Sequence, residues 1–70
     1  MAKIILEPNE SFEHFHSEES STILLEGSAH YRMGNIEHAL QPNVAVLTPA
    51  HQSHTITNTG NKECMFGCSH

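Results

Sequence analysis

The sequence predicts an all-β chain of about eight short strands, closed into a small double-stranded β-helix or jelly-roll barrel. Three observations carry that prediction. No stretch sustains a helical apolar period over three turns. From Gly27 onward, Gly or Pro punctuates the chain at short intervals, as turns between short antiparallel strands do. Between these breaks the apolar residues either alternate with polar ones or form short β-branched runs. With no repeat or linker, residues 1–70 read as a single domain.

The elements follow in order. Lys3–Glu7 opens with Ile4-Ile5-Leu6, and Pro8-Asn9 stops it at a turn. Ser11–His16 alternates, with Phe12, His14 and His16 on one face and Phe15 on the other. Ser17–Ser20 is polar and turn-like, Thr22–Leu25 is a strand, and Glu26-Gly27-Ser28 closes it. Ala29–Met33 and Ile36–Leu40 flank Gly34-Asn35, a tight-turn dipeptide suited to a hairpin. Pro42-Asn43 breaks the chain before Val44–Thr48, the most strongly β-forming run, which Pro49 ends. His54–Asn58, a turn at Thr59-Gly60-Asn61 and a last strand Lys62–Cys68 complete the set. Tyr31, Met33, Met65 and Phe66 are expected in the core.

Charge excludes several partners. Eight Glu, no Asp and only Lys3, Arg32 and Lys62 give a formal charge of −5. Phosphate backbones and anionic membrane surfaces require clustered basic residues, so neither nucleic acid nor membrane is an expected partner. The longest apolar runs are far too short to span a bilayer, and no apolar signal-peptide core begins the chain. A cytoplasmic location is expected. Cys64 and Cys68 share a strand face but lie roughly 13 Å apart on an extended chain, beyond disulfide reach. They read as small buried hydrophobes, or, with His70, as a soft ligand set of unusual spacing. So small a chain, poor in aromatics, makes a modest core, and a homodimer is expected.

Seven histidines are the chemical content. On a strand, His14 and His16 point to one side roughly 6.6 Å apart, and neutral imidazole is the commonest protein ligand for zinc, iron, copper and nickel. His54 is the best further donor. These stretches resemble the cupins, whose first motif runs Gly, five residues, His-x-His, three or four residues, Glu, six residues, Gly. Their second runs Gly, five residues, Pro-x-Gly, two residues, His, three residues, Asn. His14, His16, the six-residue gap from Ser20 and Gly27 match the first; Pro49, His54 and Asn58 match the second. Pro8 and Asn43 stand where the leading glycines belong, His51 replaces the Gly after Pro49, and Ser20 replaces the Glu.

The resemblance implies a barrel whose interior brings His14, His16 and His54 onto one divalent transition metal (Fe, Mn, Ni or Zn). With Ser20 in place of the Glu, it implies a three-histidine set with open positions. Such a set leaves the ion its full charge, which suits an anionic ligand. Glu18 or Glu19 reaches the site only by a register slip, and a one-residue slip turns a side chain to the other face. Ser20 alternatively hydrogen-bonds a metal-bound water. His51, three residues before His54, is a candidate acid or base at the pocket mouth, or a solvated loop residue. Arg32 is either an anchor for a substrate carboxylate or a surface charge. An enzyme of this kind would be a dioxygenase, isomerase or lyase acting on a small polar molecule. Beside it stand a non-catalytic module that senses or stores a ligand or metal, and a metal-free structural barrel.

Overall fold

The computed structural model describes residues 2–69, with the side chain of His16 excepted. Eight strands follow in chain order: β1 (Ala2–Leu6), β2 (Ser11–His16), β3 (Ser20–Glu26), β4 (Ala29–Met33), β5 (Ile36–Leu40), β6 (Ala45–Thr48), β7 (Gln52–Asn58) and β8 (Cys64–Ser69). They form two four-stranded antiparallel sheets, one in the order β1-β8-β3-β6 and one in the order β2-β7-β4-β5. The expected all-β double-stranded barrel is therefore the observed architecture.

Local backbone chemistry sets the corners. At Glu7-Pro8-Asn9-Glu10 the Glu10 amide donates to the Glu7 carbonyl at 3.0 Å and Asn9 has φ 67°. At Gln41-Pro42-Asn43-Val44 the Val44 amide donates to the Gln41 carbonyl at 3.1 Å and Asn43 has φ 71°. Proline fixing the first central residue and a left-handed second one make both type II turns, with Asn tolerating the conformation usually left to Gly. Gly34 (φ 60°) opens the two-residue hairpin loop between Met33 and Ile36. At Gly27 (φ 95°) a Cβ would lie 2.8 Å from the Cys64 Cβ, so only glycine fits there.

Register then stacks the inward side chains in layers. Leu6 pairs with Cys64 in one sheet, and Asn58, Ala29 and Leu40 line up in the other. The next layer holds Ile4, Phe66 and Leu24 facing Phe12, Ile56 and Tyr31. Leu24, Ile56 and Phe66 are wholly buried, each contributing about 1.5–3 kcal/mol by leaving water. Asn58 clamps this end: its amide donates to the Leu6 and Lys62 carbonyls at 2.9 and 2.7 Å and its oxygen accepts from the Gly60 amide. The third layer is Cys68, Thr22 and Val46 facing His14 and His54, and Ser20 paired with Thr48 ends the series.

The last strand begins at Cys64 and not at Lys62, and three further expectations are corrected. Ser20 is not a turn residue: it opens β3 opposite Thr48 and is buried. β7 begins at Gln52, two residues before His54, because Gln52 and Ser53 pair with His16 and Phe15. Met65 does not join the core. It alternates with buried Cys64 and Phe66 and so faces outward with Ile5, its register partner. Tyr31 and Phe66 are buried in the core and Met33 packs against it, as expected. Among the described residues no helix is long and apolar enough to cross a membrane.

Candidate functional site

Strand pairing builds the site. β2 and β7 run antiparallel with His14 directly opposite His54, and their ring centroids lie 6.1 Å apart at 56°. His14 Nδ1 and His54 Nε2 are both withdrawn from solvent. His54 is 1% exposed. The backbone of His16 ends β2 opposite Gln52, while its side chain and all of His70 lie outside the described residues.

The opposite wall, from β3, β6 and β8, is hydroxyl-rich. Ser20, Thr22 and Thr48 are buried there, and the Thr22 hydroxyl lies 3.6 Å from the Cys68 sulfur. The Ser20 Oγ has no hydrogen-bond partner among the described residues. β4 supplies a residue that spacing alone does not reveal as part of the site. Tyr31 stacks on His54 with centroids 5.4 Å apart at 26°, and its hydroxyl lies 2.6 Å from Thr48 Oγ1. Thr48 Oγ1 in turn lies 3.5 Å from His54 Nδ1, and the Tyr31 hydroxyl donates to the Met33 sulfur at 3.8 Å. His38, also without a motif, sits beside Tyr31 at 6.1 Å. It lines a groove of about 460 Å³ between the edge strands β5 and β6, together with Leu40, Val44 and Val46.

The remaining candidates lie elsewhere. Glu18 and Glu19 are exposed in the β2–β3 connection. His51 is exposed in the loop before β7 with φ 62°. Arg32 faces outward from β4, lining with Glu13, His30 and Glu37 a shallow concavity of about 550 Å³ on the outer face of its sheet. Cys64 and Cys68 are free thiols, separated by Phe66 into different layers, and burial pushes the Cys64 thiol up, disfavouring the thiolate a metal would need.

Do these residues fit a metal ion? Two imidazoles on opposed register positions face the interior, and among the described residues the buried side chains around them carry no carboxylate, so the donors there are the imidazoles, with the free Cys68 thiol on the facing wall. Among the described residues no three His, Cys or acidic side chains converge on one point; the third member of the expected set is His16. An imidazole set suits zinc, copper, iron or nickel rather than magnesium or calcium.

A two-sheet antiparallel barrel with imidazoles facing inward at one end defines a small double-stranded β-helix domain. The model of the Cupin domain family matches residues 2–70, and the chain belongs to that family. Solved structures agree on the fold. A predicted oxalate decarboxylase from Thermotoga maritima superposes with a TM-score of 0.82 at 25% identity, over 94% of this chain and 59% of that one. The Cupin_2 domain of an XRE family transcriptional regulator from Enterobacter cloacae gives a TM-score of 0.83 at 19% identity, over 94% and 73%. A de novo designed double-stranded β-helix gives 0.84 at 15%, over 96% and 92%. This chain thus spans well under two thirds of the Thermotoga protein and nearly all of the designed barrel. No curated protein matches the sequence.

Proposed function

We propose that this cupin binds one divalent transition metal through His14, His16 and His54 and uses it to hold a small polar or anionic molecule. The supporting observation is the opposition of His14 and His54 across β2 and β7, rings 6.1 Å apart and facing the interior. A bound ion supplies positive charge and Lewis-acid polarisation to such a molecule. This chain's own part is to hold the imidazoles and line the far wall with Ser20, Thr22 and Thr48. A hydroxyl where the family pattern has a carboxylate leaves the ion's charge uncancelled, which favours an anion.

The test is elemental analysis of protein purified without added metal, beside a His54→Ala variant. About one equivalent of Fe, Mn, Ni or Zn, lost in the variant, supports the reading; none in metal-replete growth turns it toward a structural barrel. A second reading is a non-catalytic sensor or storage module. It is favoured by the length of the connections, the longest of which, residues 59–63, leaves little chain to specify a reaction. Turnover of small hydroxy or keto acids by metal-loaded protein, as a dioxygenase, isomerase or lyase, would decide against it. A homodimer is part of the same proposal. The outer face of β1-β8-β3-β6 presents Ile5, Ile23, Leu47 and Met65, and Ile5 and Leu47 are 58% and 66% exposed. Light scattering should give about twice 7.8 kDa.

A further inference from the structure

The chain His54–Thr48–Tyr31–Met33 has a direction. A thioether sulfur only accepts, so the single proton of the Tyr31 hydroxyl goes to Met33 Sδ at 3.8 Å. The 2.6 Å contact between Tyr31 and Thr48 is then made by the Thr48 proton, donated to the Tyr31 oxygen. Thr48 Oγ1, its proton committed, meets His54 Nδ1 at 3.5 Å as an acceptor. The reverse direction, Tyr31 to Thr48 to Nδ1, leaves the sulfur without its donor. Only one arrangement makes all three contacts, and it puts the neutral imidazole's proton on Nδ1.

We propose that Thr48, oriented by Tyr31 and Met33, is a positioning residue that fixes His54 as the Nδ1–H tautomer, so that the Nε2 lone pair points into the barrel. Three further observations agree. Tyr31 stacks on the His54 ring at 5.4 Å, which limits its rotation. Thr48 and Tyr31 are wholly buried, so water does not compete for these groups. And His54 Nε2, the nitrogen left as acceptor, is itself withdrawn from solvent. The three relay residues come from β4 and β6, in different sheets, so the contact also ties the two sheets together beneath the histidines. The consequence for metal affinity rests on the metal reading above; the tautomer does not. Holding one ring nitrogen by a hydrogen bond is how proteins aim the other at an ion.

The experiment is a long-range ¹H–¹⁵N correlation spectrum of metal-free, ¹⁵N-labelled protein at about pH 8, where free imidazole is neutral. His54 is expected to show a pyrrole-like Nδ1 and a pyridine-like Nε2. In Thr48→Val, which keeps the shape and removes the hydroxyl, the pattern should move toward Nε2–H, and zinc affinity should fall about 10- to 100-fold. Thr48→Ser should restore both. Tyr31→Phe, which keeps the stacking, should give an intermediate shift, and serves if Thr48→Val is poorly folded. An Nε2–H pattern in the wild-type protein, or an unchanged pattern in both Thr48→Val and Tyr31→Phe, overturns the proposal. Wild-type protein that shows Nδ1–H yet takes up neither zinc nor divalent iron, manganese or nickel supports the relay and overturns the metal reading instead.

Discussion

Along three strands, one inward step separates an apolar side chain from a polar one: Leu24 from Thr22, Ile56 from His54, Phe12 from His14. The apolar half is closed by Asn58 and by the contact between Gly27 and Cys64, and hydrocarbon side chains fill most of it. The polar half buries Ser20, Thr22, Thr48 and His54, groups that cost free energy to withdraw from water unless they are partnered. The difference teaches that close apolar packing and the buried polar groups gather at separate ends of one barrel. The family's motif residues divide in the same way: Gly27 and Asn58 build the apolar end, His14 and His54 the other.

The sharpest way to break this comparison is to make paired substitutions one step apart. Phe66→Ala should cost about 3–5 kcal/mol and leave so small a domain largely unfolded in a urea or thermal titration. Thr22→Val, in the polar half, should be near neutral for folding, because it replaces a hydroxyl whose one hydrogen-bond contact among the described residues is a weak 3.6 Å approach to a thiol. Equal losses would show that the polar half is as much a part of the folding core as the apolar half.

A smaller effect is expected at the rim. His51 adopts φ 62° where the family pattern has glycine. A left-handed residue with a Cβ costs roughly 1–2 kcal/mol, offset by roughly 0.5–1 for the greater freedom of glycine when unfolded. His51→Gly should therefore stabilise the protein by about 1 kcal/mol or less. If it also leaves metal uptake unchanged, His51 is a solvated loop residue and not part of the polar half's chemistry.

The smallest effect lies outside the apolar end. Glu63, through a hydrogen bond and its charge, holds the exposed Glu7 carboxyl above the usual carboxylate range. A raised folded-state value means that the protonated form is the one folding favours. That contribution is complete below the unfolded carboxylate range and is lost as pH rises through the raised value, so at neutral pH the repulsion is fully present. Glu63→Gln should raise the Tm slightly at pH 7, and the gain should narrow as pH falls through the carboxylate range. A gain independent of pH would remove the Glu7–Glu63 coupling from the account.

Most of the fold could be read from local chemistry. The Pro8-Asn9, Pro42-Asn43 and Gly34-Asn35 pairs each dictate a turn whatever surrounds them, and strands fall between turns. His14 and His54 were readable because strand parity and motif spacing are also local. What the sequence hid needs register between distant strands. Ser20 looks like part of a polar turn until its pairing with Thr48 makes it a buried strand residue. The Tyr31–Thr48 contact joins residues 17 apart on strands of different sheets, and no spacing rule announces it. Met65 is a different case: its hydrophobicity suggested the core, while its parity against Cys64, Phe66 and Cys68 already placed it outside.

The central claim is that the polar half binds metal while the apolar half holds the fold. It is tested most directly by thermal unfolding of the wild-type protein and a His54→Gln variant, each with and without zinc. Zinc at about 100 times its dissociation constant should stabilise the wild-type protein by about 2.7 kcal/mol, a Tm rise of several degrees. The variant should melt near the metal-free wild type and show no such rise. A wild-type Tm indifferent to zinc and to the other divalent metals, or a variant that has lost its fold without metal, would contradict the account.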